Sequence, residues 1–261
     1  MGAVRTITRG GARWYVKPDG SRVPGVTSII DMLPKPHLVY WAARMTAEAA
    51  LDNLAAVNAL APDRDGAIDY LKNAHVRYTR GRARLGSAAH DMFERMLRGE
   101  AVRHVGMELE PYRRHFAEFL DRVQPELIAA EDVAWSDRHG YAGSPDAIVR
   151  VDGEIVIMDW KTSRDVYPSV ALQLAAYAHA DYLIADGTEM SMPQIEAGAV
   201  LHVVPERWEL RPVNITAPVF QVFCALREVF NWEKEGGIRA LGRPVESGGL
   251  LVTGTERRKG A

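Results

Sequence analysis

Two aspartates occupy matching positions on either side of a short turn. An Asp-Gly pair at residues 152–153 separates two strand-like segments, residues 144–151 and 154–161, and in this setting the pair is a strong hairpin signal. In the register of a two-residue loop, Asp146 lies directly opposite Asp159. Carboxylates paired in this way, with Cβ atoms roughly 4.5–5.5 Å apart, destabilise a sheet unless something neutralises them. A divalent cation bound between them would do so.

Lys161 adds a positive charge to the same patch. Side chains alternate between the faces of a sheet, so Lys161 shares a face with Asp159, about 7 Å away, while Trp160 points to the other face. Both faces of the hairpin also carry aliphatic side chains, which predicts a buried central pair of strands. Unpaired charges are costly there, which favours a functional site, although a structural ion pair is the simpler alternative.

Two carboxylates and a lysine suit the hydrolysis of phosphodiester bonds. Mg²⁺ is usually held by one or two carboxylates together with water, and Mn²⁺ also accepts an imidazole ligand. A metal bound here would lower the pKa of a water molecule and neutralise the charge that develops on the phosphate, while Lys161 would orient that water. No covalent nucleophile is required. The residues therefore indicate metal-dependent hydrolysis.

The elements that must hold these residues follow from hydrophobic periodicity and turn residues. A hairpin is predicted over residues 12–24, and strands over residues 131–137, 144–151, 154–161, 197–204 and 208–213. Helices are predicted over residues 29–33 (capped by Thr27 or Ser28), 37–60, 68–97 (interrupted near Gly81 and Gly86, and ended by Gly99), 111–123, 168–184 and about 218–234. This order predicts an α/β fold with a small mixed sheet, central strands within residues 131–161, and helices on both faces.

Composition and charge exclude several classes of protein. The chain has 261 residues and a formal net charge of −2, so its overall charge gives no sign of a nucleic-acid coat. A single cysteine, Cys224, excludes an intrachain disulfide and a cysteine-built zinc or iron–sulfur site. No apolar run is long enough to span a bilayer and no signal-peptide pattern opens the chain, so we expect a cytoplasmic protein without a membrane partner.

One segment is locally basic. Residues 71–90 contain no acidic residue. They carry Lys72, Arg77, Arg80, Arg82 and Arg84. This density could meet several phosphates of a nucleic acid, although a solvated basic face of a helix is an equally ordinary interpretation. The four arginines are therefore candidate DNA-binding residues.

The acidic pair and the lysine resemble the PD-(D/E)XK signature of a nuclease superfamily. Here the signature reads Ser-Pro-Asp at residues 144–146 and Asp-Trp-Lys at residues 159–161. Gly-Ser-Ala-Ala-His at residues 86–90 and Gln-Leu-Ala-Ala-Tyr at residues 173–177 are similar to flanking motifs of the RecB-like exonuclease branch. Residues 23–30 also look like the opening of phage-encoded members. The resemblance implies a restriction-endonuclease-like core.

The resemblance also implies a role for each matching residue. Four groups would bind Mg²⁺ or Mn²⁺, namely His90, Asp146, Asp159 and the backbone carbonyl of Trp160. Lys161 would assist the attacking water, and Gln173 and Tyr177 would position Lys161 or the DNA backbone. Glu131 resembles an acidic position of many relatives that could support the metal ligands, but an exposed acid at a strand end is an equally good interpretation.

Each flanking motif also has an ordinary structural interpretation. A single histidine on an apolar helix, such as His90, is more often a core or boundary residue than a ligand. Gln173 and Tyr177 share a helix face, as a buried polar pair would. Many RecB-like exonucleases hold an iron–sulfur cluster with four cysteines, which Cys224 alone cannot do, so the chain resembles the cluster-free subgroup.

The function implied by the resemblance is that of a metal-dependent DNA exonuclease. It would act on single-stranded DNA or DNA ends in bacterial or phage-infected cells, during replication, recombination or repair, with a recombination or replication protein as a further partner. A structure- or sequence-specific endonuclease and a non-catalytic DNA-binding domain are the alternatives. We expect an N-terminal hairpin and helical addition at residues 1–80, a nuclease core at 81–241 and a flexible tail at 242–261.

Overall fold

The computed structural model describes residues 3–240 and residue 242. Its helices are α1 (Val26–Ile30), α2 (His37–Asp52), α3 (Leu54–Leu60), α4 (Arg64–Lys72), α5 (Ala74–Leu97), α6 (Glu110–Val123), α7 (Ser169–Ala178) and α8 (Ala217–Asn231), followed by a π-helical turn at Trp232–Gly236 and a 3₁₀ turn at Gly237–Ala240. Its strands are β1 (Arg5–Arg9), β2 (Ala12–Val16), β3 (Arg22–Pro24), β4 (Glu126–Ala129), β5 (Val133–Ser136), β6 (Tyr141–Gly143), β7 (Ala147–Val151), β8 (Glu154–Lys161), β9 (Tyr182–Ala185), β10 (Thr188–Ser191), β11 (Ala197–Val204) and β12 (Arg207–Val213). The predicted tail at 242–261 lies outside the described residues, apart from Gly242.

Five strands form the central sheet, in the order β12-β11-β8-β7-β4. β11 runs parallel to β8, and the other neighbouring pairs are antiparallel. Helices α5 and α6 pack on one face, and α1, α7 and α8 pack on the other. The α/β class is confirmed, as is the small mixed sheet flanked by helices that was expected of a restriction-endonuclease-like core. Among the described residues, no helix is both long and apolar enough to cross a membrane.

The central hairpin has the predicted register. Ala147 lies opposite Met158, and both residues of the Asp-Gly turn have positive φ, 50° and 91°, as in the primed turns that match strand twist. β7 is shorter than predicted because it begins at Ala147, after residues 141–143 have paired with β5 as β6. The same register carried one residue further places Asp146 opposite Asp159.

Both faces of this hairpin are buried. Ile148 and Ile157 point to the face that packs against α1, α7 and α8. Trp160 points to the opposite face, where its ring meets Phe116 and Phe119 edge-on, with centroids 5.5 and 6.2 Å apart. Such aromatic pairs stabilise beyond the area they bury. The strand that carries the candidate residues is therefore firmly packed between two layers of helices.

Two segments pair differently from the prediction. Residues 131–137 were expected to form a central strand, but β5 belongs to a second sheet with the order β10-β9-β5-β6, and β4 takes the edge position in the central sheet. The predicted helix over residues 168–184 is wrong in its second half, because α7 ends at Ala178 and residues 182–185 pair with β5 as β9. A short apolar run fits either a helix or a strand. Residues 182–185 form a strand here because β5 offers an edge with which they can pair.

Helix boundaries differ from the prediction at glycines and asparagines. α5 continues through Gly81 and Gly86, which were expected to interrupt it, and the breaks fall instead at Asn53 and Asn73. A glycine inside a helix costs only about 1 kcal/mol relative to alanine, so packing can outweigh it. Gly99 follows the end of α5 as predicted, with φ 83°, a conformation that favours glycine at this position.

The N-terminal addition is a three-stranded sheet followed by helices. The predicted hairpin over residues 12–24 is confirmed as β2 and β3, and β1 adds an unpredicted third strand. α1 begins at Val26 instead of residue 29, because Ser28 Oγ accepts a hydrogen bond from the backbone N–H of Arg13 and does not cap the helix. The predicted domain boundary after residue 80 falls within α5.

The aromatic layer under β8 generates a stability prediction. Phe116 is 0% exposed and stacks on Phe93 with centroids 4.3 Å apart. Phe116→Ala should lower the free energy of unfolding by about 3–5 kcal/mol, because it removes buried area and leaves a cavity. Urea unfolding followed by circular dichroism measures the change. Met107→Ala, at a residue that is 94% exposed, is the control and should shift stability by less than about 0.5 kcal/mol.

Candidate active site

Two aspartates lie side by side at one end of the central hairpin. Asp159, on β8, is 2% exposed, and Asp146, one residue before β7, is 9% exposed. The backbone N–H of Trp160 donates a short hydrogen bond to Asp146 Oδ2. This bond ties the start of one strand to the end of the other. The carboxylate of Asp146 is therefore held beside that of Asp159, as the hairpin register predicts.

Lys161 and Gln173 join this pair. Lys161 Nζ lies 2.6 Å from Asp159 Oδ2, and it donates a hydrogen bond of 3.3 Å to Gln173 Oε1. The other end of the same amide, Gln173 Nε2, donates to Asp159 Oδ1 at 2.7 Å. Only this orientation of the amide satisfies both partners, because a carboxylate accepts and an ammonium donates. Gln173 on α7 thus holds the aspartate and the lysine of β8 together.

Tyr177 lies behind Gln173, one turn further along α7. Its hydroxyl is 3.4 Å from Gln173 Nε2, and its side chain is buried. Burial raises the pKa of Tyr177 well above its usual value. A Cβ atom on Gly143 would lie 2.6 Å from the Tyr177 ring, so a glycine is needed for β6 to approach this close. The predicted polar pair of α7 is therefore part of the same group.

His90 reaches Asp146 from the opposite layer. Its Nδ1 atom is 3.3 Å from Asp146 Oδ1, and the side chain is 30% exposed. Burial lowers the pKa of His90, but the hydrogen bond to Asp146 and the charge of Asp146 raise it by more. The pKa of His90 therefore lies above its usual value. A Cβ atom on Gly86, one turn earlier, would lie 3.3 Å from Thr162 Oγ1. The glycine therefore lets α5 lie close to the end of β8.

The buried charge of Asp159 is only partly compensated. Burial and the neighbouring charge of Asp146 raise the pKa of Asp159 to about 6, against the attraction of Lys161. Lys161 Nζ contacts Oδ2 at 2.6 Å, and Gln173 Nε2 donates to Oδ1. The carboxylate of Asp159 is therefore buried with the cation of Lys161 beside it, and the charge of Asp146 still raises its pKa.

Glu131 stands beside the aspartates on the turn between β4 and β5. It has φ 60°, a left-handed conformation that is uncommon for residues with a side chain. Part of the residue is exposed to solvent, yet burial of its carboxylate, followed by the charges of Asp146 and Glu94, raises its pKa to about 7. Glu131 therefore belongs to the surroundings of the site, although its role stays a prediction.

Most of these residues line a cavity of about 540 Å³, but Asp159 and Lys161 are not among its lining residues. Its walls come from every layer of the fold and comprise Arg13, Tyr15, Val26, Thr27, Gly86, Ser87, His90, Asp91, Glu94, Glu131, Gly143, Ser144, Asp146, Gln173 and Tyr177. Sequence reasoning missed the contribution of the N-terminal sheet, above all Arg13 and Tyr15. The only sequence feature that pointed to this part of the chain was the segment at residues 23–30, which resembles phage-encoded members. That resemblance does not indicate where the N-terminal sheet lies in the fold.

The four candidate arginines are all exposed on α5. Arg77, Arg80 and Arg84 fall on one row at helical spacing, and Ser87, the next residue of this row, lines the cavity. Arg82 lies on another side of the helix, beside a different groove. Arg77, Arg80 and Arg84 therefore form a row along α5 that ends near the cavity and its aspartates. Arg82 lies outside this row.

The donor atoms of the site suit a hard divalent cation. Carboxylate oxygens together with an imidazole are ligands that Mg²⁺ and Mn²⁺ accept, and the repulsion between the two buried carboxylates is only partly offset by Lys161. In the described part of the chain, no three His, Cys, Asp or Glu side chains are already gathered as a metal cluster. Mg²⁺, however, needs only one or two carboxylates, since water and phosphate complete its coordination. Asp146 and Asp159 therefore fit such an ion.

No protein-family model and no curated protein matches this sequence. Among solved structures, the chain is similar to SSO0001, with 18% identity and a TM-score of 0.30, over 49% of this chain and 56% of that one. It is also similar to an alkaline exonuclease from Laribacter hongkongensis, with 11% identity and a TM-score of 0.32, over 59% of this chain and 81% of that one. The chain thus spans little more than half the length of SSO0001. At these TM-scores, neither similarity bears on the chemistry of the site.

The raised pKa of Asp159 generates a prediction about stability and pH. A carboxyl whose pKa is 3.8 in the unfolded chain and about 6 in the folded one binds its proton more tightly when folded, so stability falls as pH rises from about 4 to about 6. Asp159→Asn removes this loss. With EDTA present, the variant should be more stable than wild type by about 1–3 kcal/mol at pH 7.5 and nearly equal to it at pH 4.

Thermal unfolding at the two pH values measures the difference. Asp121→Asn, at an exposed position of α6, is the control and should follow wild type at both. A variant that loses stability at pH 7.5 would show that the ion pair with Lys161 outweighs the burial and repulsion of the carboxylate.

Proposed function

We propose that this chain is a metal-dependent deoxyribonuclease of the PD-(D/E)XK superfamily, in its RecB-like branch. It hydrolyses phosphodiester bonds as an exonuclease of single-stranded DNA or DNA ends. The observation that carries the proposal is the group of Asp146, Asp159 and Lys161 at one end of a buried hairpin, in which Gln173 links Asp159 to Lys161. Such an activity serves DNA replication, recombination or repair in bacteria or phage-infected cells.

Four groups would hold the metal, namely His90, Asp146, Asp159 and the backbone carbonyl of Trp160. When bound, Mg²⁺ or Mn²⁺ supplies Lewis-acid stabilisation of the phosphate and makes a water molecule more acidic. The carboxylates suit this role because their mutual repulsion is only partly offset by Lys161. A structural ion pair would need no second aspartate in contact with the first.

Lys161 would act on the attacking water and on the phosphate. Hydrolysis joins the oxygen of water to phosphorus and breaks the bond to the leaving oxygen, which takes up a proton. The side chain of Lys161 is 30% exposed, and its ammonium has three donors, of which contacts to Asp159 and Gln173 use two. It orients the water and donates a hydrogen bond to the phosphate oxygen that gains charge.

Gln173 and Tyr177 position this lysine. Because one amide contacts both Asp159 and Lys161, the two charged groups cannot move independently. The buried hydroxyl of Tyr177 limits rotation of that amide from behind. A donor that is held in advance in the geometry of the reaction costs little reorganisation when charge develops. The α7 pair therefore contributes to catalysis without reacting itself.

The arginine row of α5 would guide the DNA strand towards the aspartates. Arg80 and Arg84 make no ion pair or hydrogen bond with the described residues, and both are exposed. Phosphate contacts of this kind contribute affinity that falls with salt. Arg82, beside a different groove, would contribute less.

The nuclease proposal is tested on end-labelled single-stranded, duplex and circular DNA with Mg²⁺, Mn²⁺ or EDTA. Wild type should digest linear DNA only when metal is present and leave circles intact. Lys161→Ala should lower the rate by at least about 10²–10³-fold, because a preorganised donor to the reacting phosphate is lost. Lys35→Ala, at an exposed residue paired with Asp31, is the matched control and should keep the wild-type rate.

The outcomes separate the alternatives. Cleavage of circles would replace the exonuclease by an endonuclease on the same residues. DNA binding without cleavage under any metal would make the chain a non-catalytic DNA-binding domain and would refute the catalytic role of Asp146, Asp159 and Lys161.

The arginine row generates a separate prediction about affinity. The double variant Arg80→Gln/Arg84→Gln should bind single-stranded DNA more weakly, and the slope of log affinity against log salt should fall by about 1.4, because each lost phosphate contact on a single strand contributes about 0.7. Fluorescence anisotropy in EDTA over a salt series measures both. Arg114→Gln, at an exposed residue on α6, should change neither. An unchanged slope in the double variant would exclude the row from the DNA path.

A further inference from the structure

The N-terminal sheet contributes a cation to the wall of the cavity. Along β2, Ala12 and Trp14 point into the main buried cluster, and strand alternation turns Arg13, between them, the other way. Arg13 is exposed and lines the cavity together with His90 and Asp146. It is the only arginine or lysine among the lining residues of the described chain.

The backbone of Arg13 is fixed by bonds outside the strand ladder. Its N–H donates to Ser28 Oγ at 2.8 Å, and its carbonyl accepts from the backbone N–H of Gly25 at 2.8 Å. A Cβ atom on Gly25 would lie 3.4 Å from that carbonyl oxygen, so the turn into α1 packs closely on this residue. These bonds fix the backbone of Arg13, and therefore the point from which its side chain extends, on a rigid element.

The guanidinium itself has no partner. Within residues 3–240 and 242 it makes no ion pair, hydrogen bond or ring contact, although four acidic residues line the same cavity, Asp91, Glu94, Glu131 and Asp146. An unpaired arginine at a fixed position presents a planar set of donors that matches the oxygens of a phosphate. It would also offset the repulsion that these acids exert on a polyanionic strand.

We propose that Arg13 binds a DNA phosphate next to the scissile one and so fixes the strand in the cavity. Lys161 is held beside Asp159 at the end of β8, whereas Arg13 lies on β2 of the N-terminal sheet, so the proposal assigns Lys161 to the scissile phosphate and Arg13 to a neighbouring one. The N-terminal sheet is then part of the substrate site and not an accessory to the nuclease core. The inference rests on the proposed function, because it presupposes a DNA strand in this cavity.

The first test measures binding and turnover of single-stranded DNA by Arg13→Gln and Arg13→Lys. Arg13→Gln should weaken binding in EDTA by about 10–100-fold, as expected for a lost charge-assisted hydrogen bond, and should lower the salt slope by about 0.7. In turnover with Mg²⁺, most of the loss should appear in KM. Arg13→Lys should recover part of the affinity, since it keeps the charge and loses the two-pronged geometry.

The matched control is Arg9→Gln. Arg9 is an exposed arginine of the same sheet, on β1, and it does not line the cavity. It should bind and cleave DNA as wild type does. The melting temperatures of all variants should agree within about 2 °C, which separates loss of a contact from loss of folding.

The second test removes one phosphate charge at a time from the substrate. Oligonucleotides that carry a single neutral methylphosphonate at successive positions are compared on wild type and Arg13→Gln. At one position next to the cleaved bond, wild type should lose affinity by about the same factor as the variant does on unmodified DNA. The variant should lose nothing more at that position, because the contact is already absent.

The outcomes distinguish this inference from the function on which it rests. If wild type cleaves DNA and Arg13→Gln binds and cleaves it equally well, the inference is wrong and the nuclease proposal stands. If wild type binds DNA without cleaving it, the nuclease proposal fails, and the binding and methylphosphonate results in EDTA decide on Arg13. If wild type neither binds nor cleaves DNA, both are refuted.

Discussion

The repulsion between two carboxylates buried side by side is the constraint on which the rest of the structure depends. Asp146 and Asp159 lie at the end of a hairpin that is covered on both faces, where water screens charges poorly. Each receives a fixed donor, the backbone N–H of Trp160 for Asp146, and the side chains of Lys161 and Gln173 for Asp159. These donors keep the carboxylates together, yet the pKa of Asp159 stays raised. The group is better suited to receive a cation than to remain without one.

The two faces of β8 have different roles, since one face packs in the aromatic core and the other carries the candidate site residues. Trp160 points into the aromatic layer formed with α6, whereas Asp159, one residue earlier, points towards α7 and Gln173. Because strand side chains alternate, packing on one face orients the charges on the other. Two glycines complete the arrangement, since a Cβ atom at Gly143 would lie 2.6 Å from the Tyr177 ring and one at Gly86 would lie 3.3 Å from Thr162 Oγ1. The geometry of the candidate site is thus supported by packing contacts that lie outside it.

The cavity joins parts of the chain that the sequence divides into an addition and a core. Val26 of α1 belongs to the same buried cluster as α7, and α5 crosses the predicted boundary without a break. Four acidic side chains line the cavity, and Arg13 is the one arginine or lysine among its lining residues in the described chain. Arg80 and Arg84 lie outside it, exposed on α5. The basic side chains near the site are therefore local, while the net charge of the chain is −2.

The sequence by itself determined the centre of the candidate site, because turn type and strand alternation are local properties. The Asp-Gly turn sets the register that brings Asp146 opposite Asp159, and strand alternation places Lys161 on the same face. Only the tertiary structure decided the rest. A free strand edge made residues 182–185 a strand, and packing kept α5 continuous at Gly86. It also brought Arg13 into a cavity with residues more than seventy positions away. Such outcomes depend on contacts between distant segments, which periodicity and turn chemistry do not encode.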